Sequence, residues 1–225
     1  MIFGIIVAAG KSERMGSDVD KAFLSLGTRP VLAYSLLAFE QCPMIDGVVL
    51  VVRKDRMDSA RGLAQIFGCD KVRKIVAGGL SRQLSVMNGL AELGDDVRMV
   101  VVHDGARPCV TSDLICETIK SAKRHGSGVA AVKITDTIKE VDRGMVVART
   151  VDRKKLWAVQ TPQSFKVELL TRAYGNVEKK KLAITDEASA VEALGEPVHL
   201  VPAPLANIKI TTPEDLALAA MILKV

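Results

Sequence analysis

The sequence predicts an α/β protein, a single domain over residues 1–225 in which a mostly parallel, doubly wound sheet carries helices on both faces. Three observations lead there. Short continuous apolar runs recur along the chain, the pattern of strands buried on both faces. Between them lie stretches with apolar residues at three- and four-residue spacing, and a strand–helix–strand succession implies right-handed crossovers. No repeat, low-complexity segment or Pro/Gly-rich linker divides the 225 residues, a length that one α/β domain fills.

The first strand is Ile2–Ala8, followed by a glycine-bearing loop and a helix over Val31–Gln41. A second strand, Val48–Val52, leads to helices over Arg56–Phe67 and Arg82–Leu93. Strand Met99–Val102, helix Leu114–His125 and strand Val129–Val132 continue the alternation, which gives a Rossmann-like arrangement. It breaks at Thr135–Val151, two β-rich strings joined by Asp142-Arg143-Gly144, the signature of a hairpin. With no helix to cover it, this hairpin either packs on the domain or reaches a partner. Helices over Lys166–Tyr174 and Asp186–Leu194 follow, then short strands at Val198–Val201 and Ile208–Ile210. Thr212-Pro213-Glu214-Asp215 opens the last helix with a cap, a first-turn proline and early acids.

Composition narrows the function. Hydrophobic residues make up 48% of the chain, yet no run approaches the roughly 20 needed to span a bilayer. The start has neither the basic segment nor the cleavage site of a secretory signal, so a cytoplasmic location is expected. Cys42, Cys69, Cys109 and Cys116 share no CxxC pair and read as buried or incidental thiols. Lysine and arginine exceed the acids by 31 to 26, a modest +5 that suits a phosphorylated small molecule. At 4% aromatic content the stacking platforms of single-strand binders are largely missing, so no nucleic-acid partner is expected.

In open α/β sheets ligands sit beyond the carboxyl ends of the strands, which directs attention to Ile5–Leu24, IIVAAGKSERMGSDVDKAFL. Gly10-Lys11-Ser12 ends like a Walker loop, but that motif needs a glycine five positions earlier and Ile5 stands there. The dinucleotide fingerprint fails as well, with Ser12 and Glu13 where its spacing wants glycine. What remains is Ala8-Ala9-Gly10, where small residues let backbone approach a ligand, with Arg14 and Lys21 to surround polyphosphate oxygens. A tight turn with solvated charges is the alternative from this stretch alone.

AAGxxxRM followed by a lysine resembles the signature of the sugar-nucleotide nucleotidyltransferases. Further segments narrow the likeness: Val76-Ala77-Gly78-Gly79 with Arg82 and Ser85, His103-Asp104-Gly105-Ala106-Arg107-Pro108, Thr150-Val151-Asp152-Arg153, Trp157, Thr161-Pro162-Gln163, Thr185-Asp186-Glu187-Ala188-Ser189, and Asn207-Ile208-Lys209. In this order, from residue 3 onward, they resemble the 2-C-methyl-D-erythritol 4-phosphate cytidylyltransferase family of the non-mevalonate isoprenoid pathway. The resemblance implies attack of the methylerythritol phosphate on the α-phosphorus of CTP, releasing pyrophosphate without a covalent enzyme intermediate. It assigns Arg14 and Lys21 to the α-phosphate and leaving pyrophosphate, and Asp104 to Mg²⁺, the expected cofactor. Ala8, Ala9, Gly10, Gly79, Ser85 and Gly105 would line the nucleotide. Arg107, Thr137, Arg153, Thr161 and Lys209 would meet the acceptor, and the hairpin, about residues 135–152, would act as an arm completing the neighbouring subunit's site in a homodimer.

Read without the resemblance, Asp104 fits equally a helix or turn cap and a hard oxygen ligand at a strand's carboxyl end, and Arg153 is a surface charge. His103 reads as structural, because a phosphate monoester is already ionised near neutral pH and needs no general base. Lys179–Lys181 reads as a solvated run. Three positions depart from the family pattern: Asp20 and Ala22 replace the usual proline and glutamine around Lys21, and Leu80 stands where an acid is common. Asp20 is expected to set a negative charge beside the triphosphate, and Leu80 to remove a polar contact to ribose or base. Two other activities fit parts of the pattern, a ribitol-5-phosphate cytidylyltransferase and a nucleotide-binding regulator without turnover. The AAG, DGAR and TDEAS strings and the presence of Arg14, Lys21 and Asp104 favour the first reading over both.

Overall fold

The computed structural model describes residues 1–10 and 20–225. Its centre is a seven-stranded sheet built from β1 (Ile2–Ala8), β4 (Gly47–Val52), β5 (Val72–Ala77), β6 (Met99–Asp104), β7 (Ser127–Lys133), β10 (Trp157–Lys166) and β11 (Leu200–Pro202). The spatial order is β11-β7-β10-β6-β1-β4-β5. β1 runs parallel to both β4 and β6, β4 to β5, and β7 to β11. Only β10 is antiparallel to its neighbours, inserted between β6 and β7. Two small strands, β2 (Ser25–Leu26) and β3 (Arg29–Pro30), form a separate hairpin.

Side chains alternate across this sheet as the strand period requires. Ile6, Ala8, Leu50, Val52 and Val101 face a core closed by α1 (Val31–Gln41), α2 (Met57–Ile66) and α4 (Ser112–His125). Ile5, Val49, Val51, Val100 and Val102 face the other, closed by α3 (Arg82–Leu90), α5 (Val167–Lys180) and α6 (Glu187–Ala193). Because both faces are covered, β1, β4 and β6 read as unbroken apolar runs. A smaller core gathers Leu26, Val31, Cys109, Ile210 and Ala219 under α7 (Pro213–Leu223). The α/β class and mostly parallel sheet are those expected from the sequence.

Several elements differ from expectation. β5 (VRKIVA) and β10 (WAVQTPQSFK) are strands that the apolar-run criterion misses, since charges or a proline interrupt each. Pro162 is accommodated where the β10–β7 register shifts between Val159 and Gln163, and its peptide bond with Thr161 is cis. Ile208–Ile210 forms no strand, although Ile210 N–H reaches the Ala106 carbonyl at 2.8 Å. α5 runs through Lys179 and Lys180, whose charges suit the C-terminal end of its dipole. The cysteines are free thiols, three of them buried, with Cys42 Sγ and Cys116 Sγ 3.4 Å apart.

The hairpin forms as read. β8 (Ile138–Val141) and β9 (Val147–Val151) pair antiparallel, and the turn between them holds Gly144 at φ 77°, a left-handed conformation glycine adopts freely. It rises from the paired ends of β7 and β10, where Lys133 faces Trp157. Val141, Met145, Val146 and Val147 lie exposed along it. Among the described residues no helix is long and apolar enough to cross a membrane.

Candidate active site

Register brings the strand ends together. Ala8 pairs with Val52, Val52 with Ala77, and Val7 with Asp104, so the carboxyl ends of β1, β4, β5 and β6 stand level. They open on a cleft of about 1100 Å³. Its lining combines Ala8, Ala9, Gly10, Gly79 and Ser85 with Lys21, Arg82, Asp104 and Lys209. One wall is thus backbone and small side chains, and the other is charged.

The small-residue wall is held tightly. A methyl group on Gly78 would lie 2.2 Å from Ala9 Cβ and 2.9 Å from Ser85 Oγ, so only glycine lets these two strand ends meet. Buried Ser85 secures the turn by accepting from Gly79 N–H at 3.1 Å and donating to the Ser81 carbonyl at 2.9 Å. Ser81 in turn caps α3, its Oγ accepting from Leu84 N–H at 3.1 Å. Gly105 is buried behind this wall, where a Cβ would meet Leu32 at 2.9 Å and Ala8 at 3.1 Å. Leu80 projects fully into solvent at the rim.

Asp104 anchors the charged wall. Its Oδ1 accepts from Arg82 Nε at 3.0 Å and its Oδ2 from Lys209 Nζ at 2.7 Å. Burial alone would raise its pKa, but Arg82 and Lys209 override that and hold the carboxyl well below the usual carboxylate range. Arg82 is itself fastened behind the site, with Nη1 and Nη2 donating to Glu187 Oε1 and Oε2 at 2.6 and 2.9 Å. Glu187 is fully buried and also accepts from the Tyr174 hydroxyl at 2.9 Å. The Tyr174 pKa is raised, by burial first and by Glu187 second, so its proton stays in that bond.

Behind Asp104 lies a buried polar layer. Asp104 N–H donates to Thr161 Oγ1 at 3.0 Å, which leaves the Thr161 hydroxyl proton for His103 Nδ1 at 3.2 Å. By that network His103 carries its proton on Nε2, donating to the Arg107 carbonyl at 3.3 Å. Burial pushes the His103 pKa down to about 3, so the imidazole is neutral, a structural member of the layer. Arg107 is buried as well and donates from Nη1 to the Asn207 carbonyl at 2.9 Å. Asn207 Nδ2 bonds Gln160 Oε1 and the Thr161 carbonyl at 2.8 and 2.9 Å. Thr161 and Arg107, expected at the acceptor, therefore stand behind the cleft lining, while Lys209 stands on it.

The remaining expected residues fall in three places. Lys21 lies on the cleft in a 3-10 turn, Lys21–Phe23. Asp20 caps that turn, Oδ1 accepting from Ala22 N–H at 3.3 Å. Asp20 lines the cleft beside Lys21, but its side chain is almost fully buried, with Oδ2 3.7 Å from Arg56 Nε. Burial raises its pKa against the opposing pull of the Ala22 hydrogen bond, Arg53 and Arg56. Thr137 and Arg153 are exposed at the base of the hairpin, where Arg153 donates to the Thr135 carbonyl, and neither lines this chain's own cleft. Arg14 lies outside the described residues.

Residues 2–225 match the family model described as "IspD: 2-C-methyl-D-erythritol 4-phosphate cytidylyltransferase". The chain belongs to the 2-C-methyl-D-erythritol 4-phosphate cytidylyltransferase family. A relative of that name from Desulforamulus reducens is 46% identical over 227 residues, covering 99% of this chain and 96% of its own. Another, from Alkaliphilus oremlandii, is 43% identical over 221 residues, covering 98% and 94%. Among solved structures, the 4-diphosphocytidyl-2C-methyl-D-erythritol synthase of Anaerococcus prevotii superposes with a TM-score of 0.86 at 31% identity, covering 100% of this chain and 98% of its own. The cytidylyltransferase of Thermus thermophilus gives 0.82 at 32%, covering 98% of each chain. Membership in the cytidylyltransferase family makes the chain a nucleotidyltransferase of isoprenoid biosynthesis.

On the cleft of this cytidylyltransferase and behind it, the sequence alone assigns no role to Arg82, Glu187, Gln163 or Asn207, although each lies in a motif that carries the family resemblance. Gln163 ties β10 to α6, its Nε2 bonding Asp186 Oδ2 at 2.9 Å and its Oε1 accepting from Ala188 N–H at 3.0 Å. The available signal was their residue type: charged or amide side chains among apolar neighbours, which fold only when partnered.

Proposed function

We propose that this cleft binds CTP along its small-residue wall and transfers CMP to 2-C-methyl-D-erythritol 4-phosphate at its charged wall. The observation that carries the reading is Asp104, held ionised between Arg82 and Lys209 on the same cleft as the Ala8-Ala9-Gly10 and Gly78-Gly79 turns. Nucleobase and ribose fit against Ala8, Ala9, Gly10, Gly79 and Ser85, with Gly105 backing them, and there a pyrimidine meets little side-chain bulk. An acceptor phosphate oxygen attacks the α-phosphorus of CTP, a new P–O bond forms, and the bond to the β-phosphate bridging oxygen breaks. Pyrophosphate leaves with the electron pair.

Neither nucleophile nor leaving group needs a proton at neutral pH, so the work is positioning and charge stabilisation. Lys21, with Arg14, neutralises the α-phosphate and the departing pyrophosphate, and Lys209 draws the acceptor phosphate toward the attacking position. A divalent cation fits the donor set. Asp104 supplies one carboxylate whose oxygens each retain acceptor capacity beyond a single hydrogen bond, and Mg²⁺ commonly binds through one or two carboxylates plus substrate phosphates. When bound, Mg²⁺ would neutralise charge on the triphosphate. Among the described residues no cluster of three ligating side chains competes for that role.

The protein works as a homodimer in this reading, with Thr137 and Arg153 of the arm meeting the acceptor in the partner's site and Arg107 and Thr161 supporting it from behind. The exposed Val141, Met145, Val146 and Val147 support this, because they leave apolar surface on an arm that does not pack on its own domain. An acceptor panel tests the activity. With CTP and Mg²⁺, pyrophosphate release is expected only on adding methylerythritol phosphate. Equal turnover with ribitol 5-phosphate would assign the other acceptor, and CTP binding without turnover would assign a regulator.

A further inference from the structure

The Arg82 guanidinium divides its donors between two carboxylates of different standing. Nε serves Asp104 on the cleft, while both terminal nitrogens form a two-point pair with Glu187, which is fully buried and lines no part of the cleft. Two-point pairing fixes the guanidinium plane, not only its position. With that plane fixed, the Nε–H direction is fixed too, and it ends on Asp104 Oδ1. Glu187 is held in turn from α5 by the Tyr174 hydroxyl, and it sits in the first turn of α6, whose capping box joins Asp186 and Ser189. A chain of contacts therefore runs from two packed helices through one arginine to the carboxylate at the end of β6.

We propose that Glu187 is a positioning residue for the reaction, acting through Arg82 to hold the Asp104 carboxylate in the direction that receives the cation bound with CTP. The inference rests on the reading of Asp104 as the metal-binding carboxylate. Glu187 also balances the charge of Arg82. Without that balance the guanidinium is free to close on Asp104 with two donors and to occupy the oxygens a cation would use. Partners of this outer kind commonly set metal affinity by 10- to 100-fold.

The test uses the full-length chain and Mn²⁺ as the probe, with free Mn²⁺ followed by electron paramagnetic resonance during titration in the presence of CTP. Glu187→Gln is expected to weaken Mn²⁺ binding about tenfold. It should raise the Mg²⁺ concentration needed for half-maximal rate to a similar extent and leave metal-free CTP binding within about twofold of wild type. Tyr174→Phe, which removes only the third contact to Glu187, should lower the melting temperature and leave Mn²⁺ binding within about twofold. If Glu187→Gln fails to fold because Arg82 loses its buried counter-ion, the Arg82→Gln/Glu187→Gln pair carries the test, with the same loss expected. Wild-type Mn²⁺ affinity in a folded Glu187→Gln or double variant overturns the inference, as does equal loss of metal-free and metal-dependent CTP binding. Asp104→Asn separates this failure from failure of the underlying reading: if it leaves Mn²⁺ binding unchanged, the metal assignment itself falls.

Discussion

Asp20 shows how a single side chain's surroundings decide its effect. By sequence it threatens to repel the triphosphate from beside Lys21. In the structure its carboxylate is buried at the cleft lining, caps the 3-10 turn that carries Lys21 and lies 3.7 Å from Arg56. A group so buried and partnered contributes first through the backbone it holds. Asp20→Asn keeps the cap and removes the charge, and steady-state kinetics should find kcat/KM for CTP within about threefold of wild type. Asp20→Ala removes the cap as well, and denaturant unfolding should show a loss of about 1 kcal/mol. A tenfold gain in kcat/KM in the Asn variant would show that the charge reaches the phosphates after all. His103 teaches the same lesson: its neighbour Asp104 suggests acid–base chemistry, and its buried, neutral ring between Thr161 and the Arg107 carbonyl excludes it.

At the scale of elements, the glycines separate what builds the sheet from what builds the cleft. A Cβ on Gly128, in β7, would lie 2.1 Å from the Thr118 carbonyl oxygen, a backbone atom of α4 that cannot step aside. A Cβ on Gly78 would instead meet Ala9, at the end of β1 on the cleft. Gly128→Ala should therefore cost about 2 kcal/mol or more in unfolding experiments while the folded fraction keeps its KM for CTP. Gly78→Ala should raise that KM about tenfold with a smaller stability loss, because the displaced turn is the one that faces the nucleotide. Similar KM values in both variants would contradict the division. Sequence patterning identified β1, β4, β6 and β7 because unbroken apolar runs follow from burial on both faces. It missed β5 and β10, whose charges, amides and proline are tolerated at a sheet edge or a register shift. Lys21, Asp104 and Lys209, singled out by the family resemblance, all line the cleft. The site was not legible where partnership fixes residue type, since nothing in the string states that Arg82 reaches 105 positions along the chain to Glu187.

At the scale of the whole molecule, one observation shapes the proposed assembly: Thr137 and Arg153 stand away from the cleft that contains Lys21 and Lys209 of the same chain. If both sets act in one site, they come from different subunits. That arrangement makes a prediction no single-chain site shares. Lys21→Ala and Thr137→Ala are each expected to lose roughly 10²–10³ in kcat as homodimers, since each removes a preorganised group. In a mixed dimer with exchanged arms, one site combines the Lys21→Ala cleft with the Thr137→Ala arm and stays inactive, as it lacks both groups. The intact cleft of the Thr137→Ala chain receives the intact arm of the Lys21→Ala chain, so the second site is whole. Equal mixing after subunit exchange should then restore about a quarter of wild-type activity, because half the dimers are mixed and each has one good site. The measurement is pyrophosphate release before and after exchange, with sedimentation confirming dimers in both samples. Activity that stays at the sum of the two parents despite proven exchange would place Thr137 in its own chain's site, and the arm would then serve association alone.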